Sequence, residues 1–191
     1  MIRKSAKFFS LYSWVPVFVL ALLSLVGRTA IARGTGNITQ QRTETEKAEK
    51  KDVTDREFIM NAAQDGIFHV EAGELAVQRA SSEDVKKFGQ HAIEHHTQIN
   101  DELAQLASKK GVMLPKKMSK REREALDKVT KLSGSDFDKA YLEMEIKVHS
   151  KDLSAYQKEL KDGKDPEVKA WAAKTVPMIE KHLKMARDLS K

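Results

Sequence analysis

The sequence predicts an all-α protein, a four-helix bundle with a short extra helix between the second and third long helices. Three observations point there. From residue 54 onward, apolar residues recur three and four apart over segments of 24–29 residues, as amphipathic helices require. No stretch sustains polar–apolar alternation, and no Asn-Gly or Asp-Gly step separates two β-branched runs. The breaks between periodic segments are mostly short and are marked by Ser, Gly and Pro. Four such helices supply a core large enough for one domain, placed at residues 54–190.

Each element follows from its own pattern. The first long helix spans Thr54 to Arg79, with a stripe of Phe58, Ala62, Gly66, Val70, Gly73 and Ala76, flanked by Ile59, Ala63 and Val77. The second starts at a Ser81/Ser82 cap with Asp84 in its first turn, carries Val85, Phe88, Ala92, Ile99, Leu103 and Leu106, and stops before Gly111. After a break containing Pro115, a short amphipathic helix runs from Ser119 to Leu132, with Leu126, Val129 and Leu132 on one side. The third long helix follows Gly134 and reaches about Lys161 on a stripe that includes Phe137, Tyr141, Val148, Tyr156 and Leu160. Pro166 suits the first position of the fourth, because a helix's first N–H groups have no partner there. That helix continues to Leu189 through Trp171, Thr175, Ile179 and Ala186, with a kink expected at Pro177.

Upstream of the bundle the chain reads as an address. Arg3, Lys4 and Lys7 precede an uncharged run from Trp14 to Val26, and Ala30-Ile31-Ala32 supplies the small residues of a signal-peptidase site. Residues 1–32 are therefore expected to be a secretory signal peptide, cleaved after Ala32, or a membrane tether if left uncleaved. The positive flank stays in the cytoplasm, which places the bundle in the periplasm or cell envelope. Residues 33–53 are polar and have little to bury, so they are expected to form a flexible tether, with the charged run 44–51 either solvated or a frayed continuation of the first helix. Four of the 34 basic side chains lie in the leader, leaving 30 against 28 acidic ones, a net charge of +2 on the rest. That near balance, with no basic stripe interleaved with aromatics, excludes a nucleic-acid partner. The basic run 116–121 is a solvated loop or a contact for an envelope polymer or lipid.

The polar residues on the apolar faces carry the chemistry. Glu145, His149 and Asp152 are spaced i, i+4, i+7, so they stack along the buried face of the third long helix. His182 falls in the middle of the apolar face of the fourth helix. His95 and His96 flank the stripe of the second, with His96 nearer the core, and His69 follows Asp65 by one turn on the first. Each long helix thus offers at least one nitrogen or oxygen ligand to a shared interior. The candidate metal ligands are His69, His96, Glu145, His149, Asp152 and His182. A bland alternative is equally physical: buried imidazoles and carboxylates need partners, and these can satisfy one another, His149 with Asp152 or Glu145 and His182 with Tyr141 or Tyr156.

Several chemistries are excluded. The chain has no cysteine, which removes disulfides, thiolate metal sites and a cysteine nucleophile. No Gly-x-Ser-x-Gly, phosphate-binding Gly-rich loop or His-Glu-x-x-His occurs, and no catalytic residue is assigned. Di-iron bundles use Glu-x-x-His on two helices, and that spacing is absent. A nitrogen-rich set without thiolate suits zinc or copper, with iron as a further possibility.

The run from Phe58 to Pro115 and the later segments Phe137–Tyr156 and Val168–Ala186 resemble the bacterial exported family called domain of unknown function 4142. The resemblance spans about residues 55–189 and rests on specific phrases: Ala62-Ala63-x-x-Gly66, Val85-Lys86-x-Phe88-Gly89, Phe137-Asp138-x-x-Tyr141 and Val176-Pro177-x-x-x-x-His182-Leu183. It implies a ferritin-like bundle in the periplasm or outer membrane, with His96, His149, Pro177 and His182 at recurrent positions. His69 and His95 stand where the family pattern leads one to expect acidic residues, which weakens any inherited carboxylate site. No activity comes with the resemblance. Two readings follow: a non-enzymatic envelope or stress-related protein acting through an outer face, and a metal-binding bundle built on the His/Glu/Asp cluster. An enzyme would further require a pocket reaching Glu145 and His149 from solvent.

Overall fold

A computed structural model describes residues 35–191, with side chains described from Thr54 onward. The signal peptide expected at 1–32 lies outside the described residues. Five helices make up the described chain: α1 (Thr35–Arg79), α2 (Glu83–Lys109), α3 (Lys120–Val129), α4 (Gly134–Asp162) and α5 (Pro166–Leu189). No strand occurs among the described residues. None of these helices is long and apolar enough to cross a membrane.

The first helix departs from expectation. Residues 35–53, expected as a flexible tether, continue α1 as helical backbone. The segment contains no proline and is rich in Gln, Glu, Lys and Ala, and extending an existing helix costs far less than nucleating one.

The connections set the topology. The carboxylate of Asp138, in the first turns of α4, accepts from the backbone N–H of Ser81 at 3.0 Å and of Ser82 at 2.8 Å, just before α2. The starts of α2 and α4 therefore lie at the same end, and the two helices run parallel. At the opposite end Lys110, just past α2, forms ion pairs with Asp165 and Glu167 at the start of α5. There too Asp55 of α1 accepts from the backbone N–H of Lys164 and Asp165. So α1 and α5 run one way, α2 and α4 the other, and the long connection carrying α3 returns along the outside of the bundle. Ser119 and Glu122 close a reciprocal capping box at the start of α3, which satisfies two N–H groups that would otherwise be orphaned. Leu132, expected on the buried side of this helix, lies beyond its end and is exposed.

Apolar packing divides into two clusters. One holds Phe68, Phe88, Phe137, Tyr141 and Ala186 near the shared start of α2 and α4. The other holds Phe58, Leu103, Tyr156, Trp171 and Ile179 towards the far end. Phe58, Tyr156 and Trp171 meet there, with ring centroids 4.9 to 6.1 Å apart. Between the two clusters, at mid-height on every long helix, sits a layer of buried polar residues: His69, His96, Glu145, His149, Asp152 and His182. Where α1 crosses α2 the approach is close. A Cβ on Gly89 would lie 2.8 Å from the Gly73 carbonyl oxygen, so these two glycines permit the contact.

Candidate metal centre

All six residues singled out from the sequence converge in this layer, and each is 5% exposed or less. His69 stands at its centre, wholly enclosed. Its Nδ1–H donates to Glu145 Oε2 at 3.0 Å and its Nε2–H to Asp152 Oδ2 at 2.9 Å. Donation from both nitrogens makes the ring an imidazolium. Burial alone would push this histidine down, but the charge of Glu145 and the bonds to Asp152 and Glu145 hold it up at about 10. The same contacts act on Glu145: burial would raise its carboxyl, and the positive His69 holds it down at about 2.

His149 is oriented by its own helix. Its Nδ1–H donates to the Glu145 backbone carbonyl at 3.0 Å and lies 3.1 Å from Glu145 Oε2. Since a carbonyl only accepts, Nδ1 carries a proton, and Nε2 is the nitrogen left facing the core. Metal-binding histidines are characteristically held this way, through the nitrogen that does not bind the ion. The His149 Nε2 has no partner, and neither does His96 Nε2. The His69 ring lies 4.2 Å from those of His96 and His149, stacked on the former. Ligand atoms of His69, His96 and His149 all fall within 4.8 Å of one another.

His182 completes the layer from α5. Its ring sits 5.3 Å from His96 and 5.4 Å from His149, its Nε2 is 2.8 Å from His95 Nδ1, and its Nδ1 has no partner. The tyrosines suggested as its partners do not play that part, since Tyr141 keeps a buried hydroxyl with no partner at all. Burial, followed by the charges of neighbouring histidines, lowers His96 well below the ordinary range and His182 to about 3, so both rings are neutral. One oxygen on each of Glu145 and Asp152 is also unpartnered. A cavity of about 10 Å³, room for one water-sized sphere, reaches His69, His96, Asn100 and Asp152.

Two features escaped sequence reading. His95 is the direct partner of His182, although it was seen only as flanking the stripe. The Glu122 carboxylate of α3 is buried and bonded to Asp65. Burial, the bond to Glu122 and the charge of Asp152 raise Asp65 to about 8, while that bond and the Ser119 cap outweigh burial and lower Glu122. The pair therefore holds one proton, on Asp65, beside Lys151. Its only advance signal was an acid at the third position of a capping box.

The family profile of "Domain of unknown function (DUF4142)" matches residues 40–189. The chain belongs to that family. No curated protein matches it. Two solved structures share its fold. A DUF305 fragment from Deinococcus radiodurans is 11% identical with a TM-score of 0.64, covering 72% of this chain and 95% of its own. A DUF305 protein from Streptomyces coelicolor, described as a candidate secreted protein, is 16% identical with a TM-score of 0.61, covering 72% and 92%. These likenesses speak to the bundle and leave the histidine layer to be read from its own geometry.

Proposed function

We propose that this DUF4142 protein is an exported bundle that binds a divalent transition-metal ion in its core, with His96 and His149 as first ligands and His69 completing the nitrogen set. One observation carries this: the buried His96 and His149 imidazoles each leave Nε2 without a partner, and ligand atoms of His69, His96 and His149 lie within 4.8 Å of one another. Leaving a buried polar atom without a partner costs about 1–3 kcal/mol, and a core selected only for stability would fill those positions with apolar side chains. Nitrogen ligands with carboxylates nearby and no thiolate suit Zn²⁺ or Cu²⁺. For His69 to serve as a ligand its ring must give up a proton, so uptake is coupled to proton release. Export rests on the leader read in residues 1–32 and agrees with the description of the Streptomyces structure as a candidate secreted protein.

A second reading is favoured by the His69–Glu145–Asp152 arrangement, in which both His69 nitrogens already have partners without an ion. In that case the layer is internal and the protein works through an outer face. Elemental analysis separates the two. The exported chain, purified without a histidine tag and incubated with Zn²⁺, Cu²⁺ or Fe²⁺, is expected to retain close to one ion per chain after gel filtration. The His96→Ala/His149→Ala variant is expected to retain none while keeping its helical circular dichroism. A wild-type protein that stays metal-free in all three incubations would overturn the proposal.

A further inference from the structure

A line of histidines runs from solvent to the buried centre. His91 and His95 lie one turn apart on α2 with stacked rings, centroids 5.9 Å apart and 13° between planes. His91 is exposed and His95 half-buried. From His95 the line continues inward through the 2.8 Å contact to His182, and from His182 to the rings of His96 and His149.

The surface around this line is shaped to admit a small ligand. A groove of about 350 Å³ between α2 and α5 is lined by His95, Glu102, Pro177 and Lys181, among others. Ile99, Thr175 and Met178 line both this groove and the small internal cavity that reaches His69 and His96. Pro177 lacks the N–H that would bond the Ala173 carbonyl, so α5 is locally free of one ladder bond beside the shared wall.

We infer that His91, His95 and His182 form the uptake path by which a divalent metal ion passes from solvent to the core centre. This rests on the metal-binding reading above. The ion is first held by the His91/His95 pair, whose i, i+4 spacing puts both rings on one side of the helix. It then takes the place of the hydrogen bond between His95 Nδ1 and His182 Nε2, two nitrogens already close enough to bind one ion together. The ring that donated this bond carries its proton on its other nitrogen instead, so both rings bind as neutral imidazoles and no net proton is released. Exchange onto the unpartnered nitrogens of His182, His96 and His149 completes the transfer without exposing the core. Each step swaps one imidazole for another, so no oxidation or bond cleavage is involved.

Stopped-flow loading of the metal-free exported chain with Co²⁺, followed by its visible d–d absorption, tests this path. His95→Ala is expected to load at least tenfold more slowly than wild type, and His91→Ala several-fold more slowly. Both should reach the wild-type spectrum and stoichiometry. His95→Gln, which keeps a hydrogen-bonding group beside His182 but is a poor metal ligand, is expected to be as slow as the alanine variant. Wild-type loading rates in His95→Ala, or restoration of the rate by His95→Gln, would overturn the path while leaving the centre intact. A loss of final stoichiometry in His95→Ala would also overturn it, by making His95 a permanent ligand. Failure of the wild-type chain itself to take up Co²⁺ would instead sink the metal-binding reading beneath it.

Discussion

At the scale of single residues, His69 is the group on which the polar layer depends. Its imidazolium bridges two buried carboxylates, so His69→Ala takes a charged partner from both of them. Breaking a buried pair by removing one partner costs about 3–5 kcal/mol, and urea denaturation should show a loss of that size. Replacing all three with Leu removes charge and partner together and is expected to recover most of the loss. The same groups shape the pH response of the metal-free protein. His69 is raised to about 10, so its contribution is complete below its ordinary value of 6.5 and disappears as pH rises through 10. Asp65, raised to about 8, contributes fully below 3.8 and loses that contribution as pH rises through 8. Between about pH 6.5 and 8 both act together, each worth up to about 1.4 kcal/mol per pH unit. Stability should therefore fall most steeply there, and Asp65→Asn should halve the slope in a pH series of denaturant midpoints. His182 works in the other direction: held neutral to about 3, it favours the folded state above 6.5 and opposes it as pH falls towards 3.

At the scale of helices, the α1–α2 crossing shows packing overriding propensity. Gly→Ala inside a helix ordinarily gains about 1 kcal/mol. At Gly89, however, the added Cβ would meet the Gly73 carbonyl oxygen at 2.8 Å and the Ala76 Cβ at 2.9 Å, and a backbone oxygen cannot swing aside. Gly89→Ala is expected to destabilise the protein by about 1–3 kcal/mol, read from its thermal midpoint, with little change in helix content. The helix-scale pattern was largely legible in the sequence. Long helices, their breaks and the Ser119 start of α3 are local matters of periodicity and capping, and they were found where expected. The start of α2 was legible only in part. Ser82 makes no side-chain cap bond, and the turn before the helix is held instead by Asp138 of α4, which accepts from the backbone N–H of Ser81 and of Ser82, the latter 56 residues away in the chain. The extension of α1 back to Thr35 is legible only in part, since the charged run 44–51 can continue the helix but a polar segment with little to bury carries no periodic stripe to mark where it begins.

At the scale of the molecule, the proposed metal site would link binding to folding thermodynamically. An ion bound only by the folded chain stabilises it by about 2.7 kcal/mol at a hundred times its dissociation constant. For a domain of this size each kcal/mol moves the melting temperature by about 2–4 °C. Zn²⁺ or Cu²⁺ is thus expected to raise the midpoint of the metal-free protein by about 5–10 °C, and a chelator to reverse the shift. In His96→Ala/His149→Ala the midpoint should not respond to metal. Differential scanning calorimetry with and without chelator makes the comparison, and equal responses in the two proteins would place any binding outside the core.

By itself the sequence determined which residues face the interior. Direction around a helix axis follows from a repeat of 3.6 residues, so His69, His96, Glu145, His149, Asp152 and His182 could all be assigned inward without knowing any neighbour. It could not determine which of them would meet. That depends on how far each helix slides along its neighbour, which is set by loop lengths and by contacts such as the Gly73–Gly89 approach and the Asp138 cap. Only the tertiary structure decided that His69 lies between two carboxylates, that His182 pairs with His95 in place of a tyrosine, and that Glu122 of α3 shares a proton with Asp65. Protonation follows from those distances, and so does the line of histidines to solvent, because charge and coordination depend on separations of a few ångströms between residues far apart in the chain.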